Sequence, residues 1–239
     1  MKTALIIGGS GGIGFETARV LNSKGIKVCI CDKNNLEKTR EALGEEFEFY
    51  RLDIEDKNSV DQTLSSIINK HSKVDSVIYS VSTAVNNKNI ENLVWDEFQK
   101  HIDVQIKGLF YIINFLSKIN NEKKIKFIVV LTEFCIGKPP SRISPYVTAK
   151  YGLMGFVKSM ASELNPKKYT FNMVSPGMVN TQLLSNLPPK LIEITADKNP
   201  MKRIAESTDI ANVISFLVSD EADYLNGVNI PVNGGNIFL

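Results

Sequence analysis

A tyrosine and a lysine four residues apart are the side chains of this sequence best suited to acid–base chemistry. Tyr146 and Lys150 fall on a segment with helical periodicity, so the two side chains share one face of the helix. A free tyrosine has a pKa of about 10 and is a poor acid or base at neutral pH. A neighbouring cation stabilises the phenolate and lowers that pKa. The pair therefore predicts proton transfer, with Tyr146 as the acid or base and Lys150 assisting.

A glycine-rich turn near the start of the chain is suited to binding phosphates. It reads Gly8-Gly9-Ser10-Gly11-Gly12-Ile13-Gly14, directly after a short apolar run and before a helical pattern. Glycines let the backbone turn tightly and approach a pyrophosphate, and the N–H groups and dipole of the following helix attract its charge. An acid at the end of the next strand, here Asp32, binds the ribose hydroxyls of NAD and repels the extra phosphate of NADP. We expect NAD(H) to be preferred, with NADP(H) as the alternative because Lys33 stands beside that acid.

Short apolar runs alternate with longer segments of helical periodicity along the whole chain. The runs predicted to be buried strands are Thr3–Ile7, Lys27–Cys31, Phe47–Leu52, Val74–Ser80 and Lys126–Thr132. Apolar stripes typical of helices run through Val60–Ile68, Ile102–Ile113, Leu153–Leu164 and Ile210–Val218. Strands that alternate with helices form right-handed crossovers and a parallel sheet covered on both faces. The expected fold is α/β: a doubly wound parallel sheet (Rossmann fold) in one three-layer α/β/α domain, residues 1–239.

The composition is that of an ordinary globular protein and excludes several classes. The 239 residues carry a formal net charge of +2, too small to indicate nucleic acid as a partner. The densest basic run, Lys123–Lys126, is interpreted as a solvated turn, and Asn121–Lys124 as a loop. Three cysteines without a C-x-x-C pair and two histidines predict neither a metal site nor a disulfide framework. No apolar stretch is long enough to span a membrane, so a cytoplasmic protein without a membrane partner is expected.

Further motifs, in a fixed order, make the chain similar to the short-chain dehydrogenase/reductase family. The family's T-G-x-x-x-G-I-G motif matches Gly8, Gly12, Ile13 and Gly14, with Ile7 in place of the threonine. Its Y-x-x-x-K motif matches Tyr146 and Lys150. Its acid after the third strand matches Asp53, and its N-x-x-S-P-G-x-x-x-T segment matches Asn172, Ser175, Pro176, Gly177 and Thr181. A C-terminal pattern that ends in Val232-Asn233-Gly234-Gly235 extends the resemblance over essentially the whole chain.

The resemblance implies an oxidoreductase that transfers a hydride between NAD(P) and a carbonyl or secondary alcohol. It implies that Lys150 also holds the nicotinamide ribose, that the loop from Asn172 lies under the nicotinamide, and that segment 180–206 contacts the substrate. The cofactor-binding residues expected are Gly8, Ser10, Gly12, Ile13, Gly14, Asp32, Asp53, Ile54, Ser80, Lys150, Pro176, Gly177, Val179 and Thr181. It also implies a homo-oligomer, a tetramer or dimer, that packs through the helices ending near Ile113 and Leu164.

Three positions depart from the family pattern. The N-N-A-G segment is here Tyr79-Ser80-Val81-Ser82, the active-site asparagine falls on Gln105, and the catalytic serine falls on Glu133. Glu133 is interpreted in three ways: as an acid or base, as a ligand for a cationic or polyhydroxy substrate, or as a solvent-facing residue while Thr132 replaces the serine. Both Thr132 and Glu133 therefore join Tyr146 and Lys150 as candidate catalytic residues.

The sequence also fits two other hypotheses of function. One is a catalytically weakened family member that binds nucleotide and has a structural or regulatory role. Another is a sugar epimerase or dehydratase that uses Glu133. His71 and His101 are interpreted as surface residues of helices, and Trp95 as part of the core. Segment 180–200 is either a lid or an irregular excursion, and a small-molecule carbonyl or alcohol is the expected substrate.

Overall fold

Seven parallel strands form one sheet in the computed structural model, which describes residues 1–119, 124–185 and 187–238. The strands are β1 Thr3–Ile7, β2 Lys27–Asp32, β3 Glu48–Arg51, β4 Ser76–Tyr79, β5 Ile125–Val130, β6 Tyr169–Pro176 and β7 Asn229–Val232. They lie in the order β3-β2-β1-β4-β5-β6-β7, and each neighbouring pair is parallel. The expected loop at Asn121–Lys124 lies outside the described residues except for Lys124.

Helices cover both faces of the sheet. They are α1 Gly12–Ser23, α2 Leu36–Leu43, α3 Lys57–His71, α4 Trp95–Ile102, α5 Gly108–Lys118, α6 Ser144–Glu163, α7 Pro189–Lys198 and α8 Ser207–Val218. A π-helical segment, Asp103–Lys107, joins α4 to α5. Apolar residues of α3, α5 and α6 pack on one face of the sheet, and those of α1 and α8 pack on the other. The doubly wound, three-layer α/β/α fold is thereby confirmed.

Local sequence signals account for where several of these helices begin and end. The Asp56 carboxylate accepts a hydrogen bond from the Asn58 N–H and caps α3, which ends at Ser72 in the left-handed conformation, φ 62°. Pro145 lies in the first turn of α6, where a missing N–H has no helical partner to lose. These boundaries matter because α6 carries both Tyr146 and Lys150.

The sequence patterns missed β6, β7, α2, α4 and α7. Strand β6 is buried throughout but contains polar residues that interrupt its apolar pattern. Each finds a partner: the Asn172 side chain bonds to the Leu225 carbonyl and the Val228 N–H, and the Ser175 hydroxyl donates to Asn229. Asn172 therefore belongs to the strand, and the loop that the sequence placed from Asn172 onward starts only after Pro176.

The exposures predicted for Trp95 and Lys126 are wrong. Trp95 was expected in the core, but it is 65% exposed at the start of α4, where its ring stacks on Phe98 with centroids 5.4 Å apart. Lys126, placed in a solvated turn, is buried in β5, and its ammonium group bonds to the Asp223 carboxylate and the Ser219 carbonyl. Among the described helices, none is both long and apolar enough to cross a membrane.

Candidate active site

The candidate site residues gather at one edge of the sheet, where the parallel strands end. The glycine turn follows β1, Asp32 ends β2, Ser80 follows β4, and Thr132 lies just beyond β5. Strands β1 and β4 are neighbours although β2 and β3 intervene in sequence, so the crossovers diverge between them. In open α/β sheets, ligands bind outside the carboxyl ends of the strands at this switch point.

Glycine is required in the turn because other backbone approaches it closely. Gly8 has φ 81°, and a Cβ built on it would stand 2.6 Å from the Ser80 carbonyl oxygen. A Cβ on Gly14 would stand 2.3 Å from the Gly8 carbonyl oxygen, and one on Gly12 would stand 2.6 Å from Cγ2 of Thr181. The turn is thus closed tightly on itself, between the end of β4 and the loop that carries Thr181.

The same turn offers hydrogen-bond donors that suit a pyrophosphate. No side chain caps the N-terminus of α1 at Gly11, and Ile13 follows in its first turn. The Ser10 hydroxyl is buried without a partner among the described residues. A buried hydroxyl that lacks a hydrogen bond carries a free-energy cost of about 1–3 kcal/mol, which a bound ligand relieves. The helix N-terminus and the orphan hydroxyl therefore fit the phosphates of a dinucleotide.

Two acidic residues flank the adenosine end of this cradle. The Asp32 carboxylate accepts hydrogen bonds from the backbone N–H groups of Ser10, at 3.0 Å, and Asn34, at 3.2 Å. The Lys33 ammonium lies 2.7 Å from the Asp53 carboxylate. Burial acts to raise the pKa of Asp53, but the Lys33 and backbone hydrogen bonds outweigh it, so the pKa lies below its ordinary range. Ile54, next in sequence, is buried against the position of Gly108.

Tyr146 and Lys150 lie on adjacent turns of α6, as the spacing predicts. The Lys150 ammonium donates to the Val130 carbonyl at 2.8 Å and lies 5.9 Å from the centroid of the Tyr146 ring. Burial lowers the pKa of Lys150 to about 8. Burial raises the pKa of Tyr146 to about 12, and a hydrogen bond with the Thr132 hydroxyl opposes that rise.

The chain leaves regular strand geometry immediately after β5, and this decides where Thr132 and Glu133 point. Thr132 precedes a 3₁₀ turn, Glu133–Cys135; its hydroxyl accepts a hydrogen bond from the Phe134 N–H at 3.4 Å and lies near enough to Tyr146 to lower the pKa of that phenol. Among the described residues, the hydrogen bonds of the Glu133 carboxylate go to Asn236, at 3.1 Å, and Asn233. Glu133 is buried rather than solvent-facing, and burial raises its pKa although both asparagines oppose the rise.

In the loop after β6, the N–H and C=O of Val179 have no backbone hydrogen-bond partner among the described residues. Gly177 donates its N–H to the Val232 carbonyl. Val179 pairs with Ala205 in a parallel bridge that uses the Met178 carbonyl and the Asn180 N–H. Because strand backbone groups alternate in direction, the N–H and C=O of Val179 point to the other side.

The sequence missed His101 as a residue of this site, whereas it named Gln105 and Tyr79 as departures from the family pattern. His101 was interpreted as a surface residue, yet it is buried, with its ring 6.2 Å from that of Tyr146. Gln105 is fully buried in the π-helical segment, and Tyr79 donates its hydroxyl proton to the Val104 carbonyl there. The signal was present: positions 101 and 105 are four residues apart, so they share a helix face.

A cluster with metal-type ligands lies at the opposite edge of the sheet, where β2 and β3 begin. Ligand atoms of Cys29, Glu48 and His71 lie within 4.8 Å of one another. The Lys27 and Lys70 ammonium groups approach the Glu48 carboxylate at 2.8 and 3.1 Å. These cations make the cluster an ion-pair network around Glu48, and His71, half-buried within it, is not the surface residue that was expected.

Comparison with known proteins identifies the class of protein that this fold and site define. The family model described as enoyl-(acyl carrier protein) reductase matches residues 8–236. The chain therefore belongs to the short-chain dehydrogenase/reductase family, and it is an oxidoreductase of the NAD(P)-dependent type.

Individual relatives resemble it over their full length. The 3-oxoacyl-[acyl-carrier-protein] reductase FabG of Buchnera aphidicola subsp. Schizaphis graminum is 32% identical over 98% of this chain and 96% of its own. The 3-ketoacyl-(acyl-carrier-protein) reductase of Brucella melitensis, solved with NADH, is 25% identical over 98% of both chains, with a TM-score of 0.88. Actinorhodin polyketide ketoreductase, solved with NADPH, shares the fold at 20% identity over 98% of this chain and 97% of its own, with a TM-score of 0.90.

Proposed function

We propose that this chain reduces the ketone of a 3-oxoacyl thioester, with Tyr146 as the proton donor. The observation that carries the proposal is that Tyr146 and Lys150 lie on adjacent turns of α6, with the buried ammonium 5.9 Å from the centroid of the phenol ring and the Thr132 hydroxyl just beyond β5 interacting with the phenol. These three groups supply an acid, a cation and a hydroxyl at one place. The names of the full-length relatives supply the substrate class.

Each residue has a distinct part in this chemistry. The bound nicotinamide dinucleotide supplies the hydride to the carbonyl carbon. Tyr146 gives its phenolic proton to the carbonyl oxygen as negative charge develops there, and Thr132 donates a hydrogen bond to the same oxygen. The Lys150 ammonium stabilises the phenolate that remains and holds the nicotinamide ribose. In the reverse direction the phenolate takes the proton from the alcohol.

We assign the usual serine's part to Thr132 rather than to Glu133. An ionised carboxylate accepts hydrogen bonds only and cannot donate to a developing oxyanion, whereas a hydroxyl can. The bonds of Glu133 to Asn236 and Asn233 make it a link between the 3₁₀ turn and the C-terminal segment. In this proposal Glu133 holds the backbone of Thr132 in place and takes no proton from the substrate.

The remaining residues form the nucleotide and substrate sites. Gly8, Ser10, Gly12, Ile13 and Gly14 hold the pyrophosphate, and Asp53, Ile54 and Ser80 surround the adenosine end. Pro176, Gly177, Val179 and Thr181 would hold the nicotinamide, and the N–H and C=O of Val179 would bond to its carboxamide. Segment 180–206, which includes α7, contacts the substrate.

We propose NAD(H) as the preferred cofactor of a cytoplasmic enzyme. Asp32 is fixed by two backbone N–H groups at the position of the ribose hydroxyls, where its charge opposes a phosphate. The charge of the Lys33 ammonium is paired with the Asp53 carboxylate, 2.7 Å away. Calorimetric titration of the purified chain with NADH and NADPH tests this, and tighter NADPH binding would contradict it.

A substrate panel tests the proposed reaction. Purified protein with NADH or NADPH is given acetoacetyl-coenzyme A, an aldohexose with NAD, and a cyclic diketone, and absorbance at the nicotinamide band is followed. Turnover of acetoacetyl-coenzyme A above the other two is the expected result. Tight nucleotide binding without turnover of any of them would instead favour the catalytically weakened member.

A further inference from the structure

A buried histidine lies against the tyrosine of this site, and the chemistry above makes no use of it. The His101 ring, at the end of α4, stands 6.2 Å from the Tyr146 ring between centroids, and the two planes meet at 77°. Aromatic rings favour this edge-to-face arrangement at this separation. The imidazole therefore forms one wall of the place that the Tyr146 phenol occupies.

Gln105 lies one helical turn further on and contacts the same imidazole. Its Nε2 is 3.4 Å from Nδ1 of His101, and the amide group donates where the neutral ring accepts. The neutral ring then carries its own proton on Nε2. The other atom of the amide, Oε1 of Gln105, is buried without a partner in the part of the chain that the structure describes.

The ionisable groups around this pair come from three elements. Tyr146 and Lys150 lie on α6, and Cys135, which interacts with both of them, lies on the 3₁₀ turn. On the segment of His101 itself, Lys100 pairs with Glu55, and Asp103 pairs with Lys107. Burial lowers the pKa of His101, and the Lys150 ammonium lowers it further, so the ring is neutral at neutral pH.

We propose that His101 is a positioning residue: the neutral ring holds the Tyr146 phenol and the Gln105 amide in place, and protonation of the ring disturbs both. A proton on Nδ1 would bring two donors face to face, so the amide must turn its orphan Oε1 toward the ring. The new charge would also stand beside the Lys150 ammonium, which it repels. The effect on turnover rests on the proposed function, whereas the titration of the ring does not.

Turnover tests the proposal through two variants of one position. With acetoacetyl-coenzyme A and NADH as probes, His101→Phe keeps the aromatic wall, so kcat at neutral pH stays within about threefold, while the fall in kcat at acid pH disappears. His101→Ala removes the wall and lowers kcat about tenfold or more with little change in KM, because a misplaced acid slows the chemical step. His71→Phe, at the far edge of the sheet, is the matched control. The proposal would be overturned if His101→Ala had the kcat of wild type, or if kcat of His101→Phe fell at acid pH as it does in wild type.

A second measurement needs no turnover. The chain has two histidines, so His71→Gln leaves His101 as the only imidazole in an NMR titration of protein labelled with ¹³C-histidine. The pKa of His101 should lie below the ordinary value of about 6.5. It should fall further when Gln105→Leu is added to His71→Gln, because the leucine removes Oε1, the acceptor for the protonated ring. A pKa at or above the ordinary value would contradict the proposal. Failure to reduce acetoacetyl-coenzyme A would count against the proposed function alone.

Discussion

At the scale of single residues, the proposed chemistry depends on which side chain beyond β5 faces the phenol. Replacing Thr132 by Val removes the hydroxyl that interacts with Tyr146 and keeps the side-chain volume. Loss of one donor to a developing oxyanion costs about 10²-fold or more in kcat. We expect Thr132→Val to lose activity on that scale in steady-state kinetics with acetoacetyl-coenzyme A and NADH.

Glu133→Gln, at the neighbouring position, is the control variant in that experiment. The amide keeps the size of the side chain and its place against Asn236, so kcat and its pH profile should stay close to those of wild type. The reverse pattern, with Thr132→Val active and Glu133→Gln inactive, would return the role of acid or base to Glu133.

The buried Lys150 predicts a specific dependence of stability on pH. Its pKa is about 8 in the folded protein, against 10.5 as the ordinary value. Since the unfolded chain binds more protons between these two values, the stability contribution of Lys150 rises as pH rises from about 8 to 10.5. Below about pH 8 both states are protonated and the charge stays buried at its full cost.

Chemical denaturation across this pH range checks that sign. Relative to Lys150→Met, the wild-type free energy of unfolding should rise by up to about 3 kcal/mol, at about 1.4 kcal/mol for each pKa unit. Lys158→Met, an exposed lysine of the same helix, controls for the loss of a charge. A wild-type stability that falls relative to Lys150→Met over this range would contradict the burial of the ammonium group.

How much of the site the sequence predicted depends on the distance along the chain between the groups involved. The Tyr146 and Lys150 pair follows from helical periodicity alone. By contrast, the Glu133 carboxylate, on the 3₁₀ turn that follows Thr132, bonds to Asn236, about a hundred residues away. No local pattern encodes such a contact, so the choice between Thr132 and Glu133 stayed open.

At the scale of elements, the glycine turn should tolerate a methyl group at one position and not at another. Gly14→Ala places Cβ 2.3 Å from the Gly8 carbonyl oxygen. That oxygen belongs to the backbone, so it can move away only if the turn opens. A Cβ on Gly11 would lie 3.5 Å from the Gly8 carbonyl oxygen, which is an ordinary contact. The φ of Gly11 is −81°, a value that alanine also adopts.

We therefore expect Gly14→Ala to lower NADH affinity at least about tenfold, a loss of about 1.4 kcal/mol, and to lower the melting temperature. Gly11→Ala should leave both near the wild-type values. Fluorescence titration with NADH and a thermal melt measure the two quantities. Equal behaviour of the two variants would show that the turn has room for a methyl group at position 14.

The sequence predicted strands and helices well where their buried residues are apolar. It predicted them poorly where buried polar side chains form hydrogen bonds in the interior. Strand β1 was predicted at the bounds observed, because each of its five residues is apolar or small and buried. Strand β6 was missed because Thr170, Asn172 and Ser175 are buried in it. Helix α7 has no buried residue among those described, so its apolar stripe was too weak to recognise.

At the scale of the whole molecule, exposed aromatic residues on α5 and α6 predict an assembly. Phe110 on α5 is 47% exposed and packs against Phe156 of α6, and Tyr151 of α6 is 41% exposed. Aromatic surface of this kind is typical of interfaces. We expect light scattering at micromolar concentration to show a dimer or tetramer, and Phe110→Lys to shift it toward smaller species.

Tyr224→Lys is the control for that substitution, because Tyr224 is fully exposed beyond α8. It should leave the molar mass unchanged. A monomer for the wild-type chain at the same concentration would refute the prediction.

The central claim, that Tyr146 delivers the proton while the glycine turn only binds nucleotide, is tested most directly by single-turnover reduction of acetoacetyl-coenzyme A. Protein saturated with NADH is mixed with the thioester, and loss of nicotinamide absorbance is followed for wild type and Tyr146→Phe. We expect rapid loss in wild type and a rate at least about 10²-fold lower in Tyr146→Phe, the scale of one general acid, with equal NADH affinity. A Tyr146→Phe rate equal to that of wild type would contradict it.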